Sequence, residues 1–227
     1  MTVLQARRLG MFGSTVLMVL SLSGCAGLGK PVSPLPDVQP QQPNMVSLQP
    51  QDWYVLYSNG VPSHPSSDPD GAWSFEFPNY NSGGHINYIE TPFNATIPLH
   101  SITIVFKVES ETPQFVVVDS SDHLPATCRL MIEQQNDDLA DPNGRWRADA
   151  SIYNLGSQDG QIITHTVALT PDQWTNVNGQ ENASAFGSAL ANIGWVGLTF
   201  SGQYFAGHGV AIGSGTAKFV LIGNSID

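Results

Sequence analysis

Between Ser101 and Val108, the apolar side chains Ile102, Ile104, Phe106 and Val108 alternate with Ser101, Thr103, Val105 and Lys107. A period of two sends the first set to one face of an extended chain and the second to the other, which is the pattern of a strand that buries one face. Similar runs recur at Trp53–Ser58, Ala72–Phe77, His85–Thr91, Gln114–Val118, Thr127–Gln135, Arg145–Tyr153, Gln161–Leu169, Gly194–Phe200 and Thr216–Ile222. Turn-forming segments separate them, including Pro69-Asp70-Gly71, Ser82-Gly83-Gly84, Asp141-Pro142-Asn143-Gly144 and Gln158-Asp159-Gly160. About ten short strands at this spacing predict an all-β sandwich or barrel. One helix interrupts the pattern, over Ser184 to Asn192, with Phe186, Leu190 and Ile193 at i, i+4 and i+7. Ser184 is placed to cap its start and Gly194 its end, making it a short helix that plugs one end of the sandwich.

Upstream of this region, residues 30–50 hold six prolines and four glutamines in twenty-one positions and few large apolar side chains. Such a stretch cannot bury a core and reads as a disordered, polyproline-like linker, able to span about 60 Å when fully extended. Residues 51–227 then form one domain, because no second linker interrupts them and their length suits a single sandwich.

The start of the chain bears on its compartment. Arg7 and Arg8 precede an uncharged apolar run from Met11 to Leu22, the layout of an export signal. A spanning helix needs about 20 apolar residues, and this run is shorter. It closes on Leu22-Ser23-Gly24-Cys25, which resembles the lipobox of bacterial lipoproteins. The resemblance implies a signal peptide over residues 1–24, cleavage before Cys25, and acylation of Cys25 by diacylglycerol and an amide-linked chain such as palmitate. Several acyl chains hold a protein to a bilayer stably, at about 0.8 kcal/mol per buried methylene. Ala26 follows the cysteine where an inner-membrane retention signal would have Asp, so the resemblance implies the outer membrane of a Gram-negative cell envelope. Residues 25–50 are then the lipidated anchor and its linker.

Charge narrows the partners. The chain carries a net −11, and loss of residues 1–24 removes two arginines and no acid. The remaining basic residues are scattered apart from Arg145 and Arg147, so the stripe that grips nucleic-acid phosphates is missing. With Cys25 acylated, Cys128 has no intramolecular partner. It shares the Leu130 and Ile132 side of its strand, the position of a buried, inert thiol.

The C-terminal third carries a second resemblance. Leu169-Thr170-Pro171-Asp172-Gln173-Trp174, then Ile193-Gly194-Trp195-Val196-Gly197-Leu198-Thr199-Phe200, Gly207-His208-Gly209-Val210 and Ala217-Lys218-Phe219-Val220-Leu221 are similar to the closing strands of galactose-binding-like jelly rolls, a superfamily that includes many carbohydrate-binding modules. The resemblance implies a jelly-roll β-sandwich and a sugar site at a loop end or on a concave sheet face. Sugar chemistry fits that picture in outline, since a pyranose stacks its apolar face on an aromatic ring and pairs its hydroxyls with polar groups. The candidates are Trp73, Tyr80, Tyr88, Trp146 and Tyr153, with Arg145 and Arg147 flanking Trp146 after a turn. Two readings of Trp146 stand side by side, a ligand contact and a half-buried ring with arginines laid over it. Trp53, Trp174 and Trp195 lie in the strongest strand patterns and are expected in the core. His208, between two glycines, either lines a loop-end pocket or is a structural residue beside a bulge.

Catalytic constellations are sparse. Glu76, Glu90 and Glu133 fall on expected strands and could form a glycosidase-like carboxylate pair, but sequence gives no distances. Ser120, Ser121, Asp122 and His123 read as a polar loop, since no Gly-x-Ser-x-Gly elbow accompanies them. No His-x-x-x-His, Cys-x-x-Cys or phosphate-loop motif occurs. A structural calcium has weak candidates in Asp68 and Asp70, which more readily form a turn. The expectation is a lipid-anchored, non-catalytic binding module, for carbohydrate or alternatively for an envelope protein that it helps to assemble. A sugar-binding module would gather aromatic and polar groups on one surface, whereas an assembly factor would offer an apolar patch or a free strand edge.

Overall fold

A computed structural model describes residues 46–95, 98–118, 125–137, 141–149, 152–157, 159–203 and 208–227. The signal segment, Cys25, most of the linker and the Ser120–His123 block lie outside the described residues. Twelve strands and one helix occur among them: β1 (Tyr54–Leu56), β2 (Ser66–Ser67), β3 (Trp73–Glu76), β4 (Tyr88–Pro92), β5 (Ser101–Val117), β6 (Thr127–Gln134), β7 (Arg145–Ala148), β8 (Tyr153–Asn154), β9 (Ile163–Ala168), β10 (Trp174–Asn176), α1 (Ala183–Ala191), β11 (Ile193–Ser201) and β12 (Val210–Ile226).

These strands make two antiparallel sheets, a β-sandwich of the kind expected from the alternation. One sheet runs β1-β4-β11-β6-β7-β10, with β8 also paired to β6, and the other runs β2-β3-β12-β5-β9. The core between them is strongly aromatic. Phe219 stacks on Phe75 and Phe106 at 5.5 and 5.0 Å within one sheet, while Phe200 of the other meets Phe75 edge-on at 5.6 Å. Edge-to-face and offset rings add about 0.5–1.5 kcal/mol per pair beyond the area they bury.

Sequence pattern and structure differ in three instructive places. The expected runs at Ser101–Val108 and Gln114–Val118 are one seventeen-residue strand, β5, paired along most of its length with the equally long β12. Pro113 breaks the alternation but not the strand, because register shifts around Ser214 absorb it, and a proline is tolerated at a bulge. The helix begins one residue early: Asn182, not Ser184, accepts the Ala185 amide proton at 3.0 Å, and Asn192 rather than Gly194 ends the helix. Finally, Val46 packs against the core and the Trp53 indole donates to the Ser47 carbonyl at 2.7 Å. The packed body thus includes residues expected to be linker.

Candidate functional site

Alternation along β11 points Val196, Leu198 and Phe200 into the core, so Trp195, Gly197 and Thr199 occupy the sheet's opposite face. On the neighbouring strands that face receives Tyr88 and Glu90 of β4, Arg129, Met131 and Glu133 of β6, Arg145 and Arg147 of β7 and Thr175 of β10. Register aligns them: Glu90 and Met131 both lie opposite Gly197, Glu133 lies opposite both Trp195 and Arg145, and Thr199 lies opposite Tyr88 and Arg129. A sheet face turned away from the core is ordinarily solvated. Here it is nearly closed off, with Glu90, Arg129, Glu133, Arg147, Thr175 and Thr199 all buried.

Glu90 and Glu133 are the centre of this face. They sit on strands separated by β11, and Gly197 is what lets them meet: a Cβ there would collide with the Ile89 carbonyl oxygen and stand 2.7 Å from Glu90 Cα and Cγ. The Glu90 side chain crosses the gap and shares a hydrogen bond with Glu133. Burial, and then the neighbouring Glu133 carboxylate, push Glu90 well above the usual carboxylate range. Burial and then Asp137 raise Glu133. Two buried carboxyls within hydrogen-bond reach cannot both ionise cheaply, so the pair retains a proton and Glu90 donates to Glu133. Arg145 Nε pairs with Asp137 Oδ2 at 3.0 Å beside them. Tyr88, whose hydroxyl bonds Arg145, is pushed up to about 12, chiefly by burial.

One rung further along lies a second group. Arg129 Nη1 meets Asp149 Oδ1 at 2.5 Å, and Arg147 Nε reaches the same oxygen at 3.6 Å. Thr175 Oγ1 donates to Asp149 Oδ2 at 2.5 Å, and the Gln203 carbonyl accepts from Arg129 Nη2. Burial and then Arg147 lower Arg129 to about 10. Three polar atoms of this face have no hydrogen-bond partner among the described residues: Glu90 Oε2 on β4, Thr199 Oγ1 on β11 and Arg129 Nε on β6. They belong to three adjacent strands. The aromatic border consists of Tyr57, edge-on to Tyr88 at 6.0 Å, and Tyr54, edge-on to Trp195 at 5.8 Å. Both border tyrosines are half-buried.

The structure redistributes the residues singled out from sequence. Arg145, Arg147 and Tyr88 come together on this face, as do Glu90 and Glu133. Trp146 does not join them: it is 0 % exposed, its indole donates to the Asn143 carbonyl at 2.7 Å, and its ring packs edge-on against Phe186 of α1 at 5.2 Å. The alternation that sends both arginines to one face sends the tryptophan between them to the other. Trp73 is likewise core, 4.8 Å from Trp53, and Tyr153 packs edge-on to Phe106 at 5.0 Å. Neither presents a ring to solvent. Tyr80 is 45 % exposed, on a turn whose Asn81 side chain bonds the Gly213 carbonyl, away from the acid pair. Trp53 and Trp174 are in the core as expected, but Trp195 is buried on the polar face instead. A register shift between Ile193 and Trp195 moves it there.

His208 is half-buried next to Gly209, whose φ of +79° and close approach to Asn87 and His85 exclude a side chain. The calcium candidates are otherwise occupied: Asp68 accepts the Asp70 amide at 2.9 Å and pairs with Lys218 at 3.2 Å, while Asp70 faces Lys107 at 3.7 Å. A cation there would have to displace Lys218. Cys128 is buried with its thiol pushed up by desolvation, the condition of an inert group. Glu76 is exposed and apart from the acid pair.

The chain matches no protein-family model, and no curated protein matches it.

Proposed function

We propose that this protein is a lipid-anchored, non-catalytic module of the galactose-binding-like kind that holds carbohydrate on the polar face of its larger sheet. The observation that carries the reading is the set of three buried, partnerless polar atoms, Glu90 Oε2, Thr199 Oγ1 and Arg129 Nε, on adjacent strands of one face. Each such group costs about 1–3 kcal/mol when left unpaired, and a ligand offering both donors and acceptors recovers that cost. A polyhydroxylated sugar is such a ligand, and the half-buried border rings of Tyr54 and Tyr57 offer surface for its apolar side.

The carboxyls do not suit glycosidic hydrolysis. A glycosidase holds its two acids at least about 5 Å apart to flank the scissile bond, whereas Glu90 and Glu133 are hydrogen-bonded to one another. Anchoring follows from acylation of Cys25, with the outer membrane of the cell envelope as the site. One feature favours the assembly alternative: among the described residues β9 pairs only with β5, and the adjoining Ile162 is 65 % exposed, an edge that an envelope protein could extend.

Binding of the intact protein to immobilised glycans and envelope polysaccharides tests the proposal, beside Thr199→Val and Glu90→Gln. Selective binding that weakens about tenfold or more in either variant supports the sheet-face site. Binding to no glycan removes the proposal and leaves the assembly reading.

A further inference from the structure

A strand at the edge of a sheet offers its outer backbone groups to any chain that can pair with them, and folded proteins blunt such edges. Here β2, β8 and β10 are only two or three residues long. The β1 edge is covered by its own connection, since the Val55 amide donates to the Ser63 carbonyl at 2.9 Å. β9 has no such device. It runs six residues, pairs only with β5 among the described residues, and leaves Thr164, Thr166, Ala168 and the adjoining Ile162 exposed. In a chain of net charge −11, residues 161–169 contain no Lys, Arg, Asp, Glu or Pro, the residues that ordinarily protect an edge.

Register shows what fits this edge. The Leu169 amide donates to the His100 carbonyl at 2.8 Å, and bonded positions alternate along an antiparallel ladder, so Ile163, His165 and Val167 turn their backbone groups to β5. Ile162, Thr164, Thr166 and Ala168 turn theirs outward. The Ala168 carbonyl already accepts from the Trp174 indole at 2.8 Å, which leaves Ile162, Thr164 and Thr166 as the set open to a partner. That set is symmetric about Thr164. A second copy related by a two-fold axis through Thr164 pairs Thr164 with Thr164 and Ile162 with Thr166, and matches every outward group of the three. Ile163 of each copy then faces His165 of the other, on the side where His165 packs against Phe106 and Tyr153 at 5.6 and 5.9 Å. No charged side chain lies in the ladder to select an acidic or basic partner, or to repel a copy of itself. We infer that β9 is a self-association edge, at which two copies of this chain pair antiparallel about Thr164 and join their five-stranded sheets into one. Each copy spends its one long open edge, so growth stops at two. A ladder this short is small beside the roughly 1,200–2,000 Å² of a stable complex, which makes the dimer a weak one. The inference does not rest on the carbohydrate reading, which concerns the other sheet.

Disulfide trapping in the full chain carrying Cys25→Ser tests the register. Residues that exchange bonds across an antiparallel pair lie about 5.5 Å apart at Cα, within disulfide range, so Thr164→Cys should cross-link to itself on mild oxidation. Thr166→Cys sets the two thiols about 13 Å apart along the strands and should trap about tenfold less. Sedimentation gives a second readout. The wild-type chain should show a monomer–dimer equilibrium at high protein concentration. Thr164→Pro, which removes an outward N–H and no bond to β5, should raise the dissociation constant about tenfold or more with Tm nearly unchanged. Thr164→Lys, which sets like charges face to face on the axis, should do the same where proline disturbs the strand. Equal trapping at both positions, trapping at neither, or a wild-type chain that stays monomeric up to about 1 mM overturns the inference and leaves the edge to a different protein.

Discussion

At the residue scale, the Glu90–Glu133 pair makes stability depend on pH in a definite direction. Both folded-state values are raised, so the folded chain holds protons that the unfolded chain releases above about pH 4. Their stabilising contribution is therefore complete in acid and is lost as the pH climbs toward the folded values. We expect Tm to fall between about pH 5 and pH 8, and Glu133→Gln to flatten that fall and to be the more stable protein at the alkaline end by on the order of 2 kcal/mol. An unchanged slope in thermal melts across that range would show that the two acids do not share a proton. Gly197→Ala probes the same contact from the backbone. Its Cβ meets the Ile89 carbonyl and Glu90, so it should cost about 1–3 kcal/mol in urea unfolding, as overpacking does. Glycine at this position is invisible to alternation, since what excludes a side chain is the close approach of the neighbouring strand at Ile89 and Glu90.

At the element scale, Trp146 and α1 belong to one packing unit. Phe186 lies between Trp146 and Trp174, at 5.2 and 5.9 Å. Trp146→Ala should therefore cost about 3–5 kcal/mol in denaturant titration through the cavity it leaves. Where the variant still folds, its glycan selectivity should be unaltered. Asn182→Ala should cost about 1 kcal/mol and Ser184→Ala close to none, which distinguishes the observed cap from the expected one. These elements also set what sequence could reveal. Alternation identified nearly every strand because one face of each is buried against the same aromatic core. It found β11 as well, as the run Gly194–Phe200, but all nine residues of that strand are buried, so alternation there does not tell the core face from the other. That ambiguity hid the site. Glu90, Glu133 and the arginines were legible as residues on strands, but their shared face depends on the order β4-β11-β6-β7, which no local pattern encodes. Arginines flank Trp146, and period two puts a residue on the face opposite both its neighbours, so the ring is buried while the arginines share the polar face.

At the scale of the whole molecule, the sandwich separates two functions of its strands: one face of each sheet builds the core, and the other face of the larger sheet gathers charge. Polar groups enclosed in that manner destabilise a fold unless something completes them. The proposed lipid anchor is a separate device, and on that proposal Cys25→Ser should move the protein from the membrane to the soluble fraction on cell fractionation. The central claim is the location of the ligand site, and chemical-shift mapping of the labelled protein during titration with a bound glycan tests it most directly. The account predicts the largest shifts at Glu90, Arg129, Gly197 and Thr199. Shifts confined to the turn at Tyr80 and the segment around His208, with the sheet face unchanged, would contradict it.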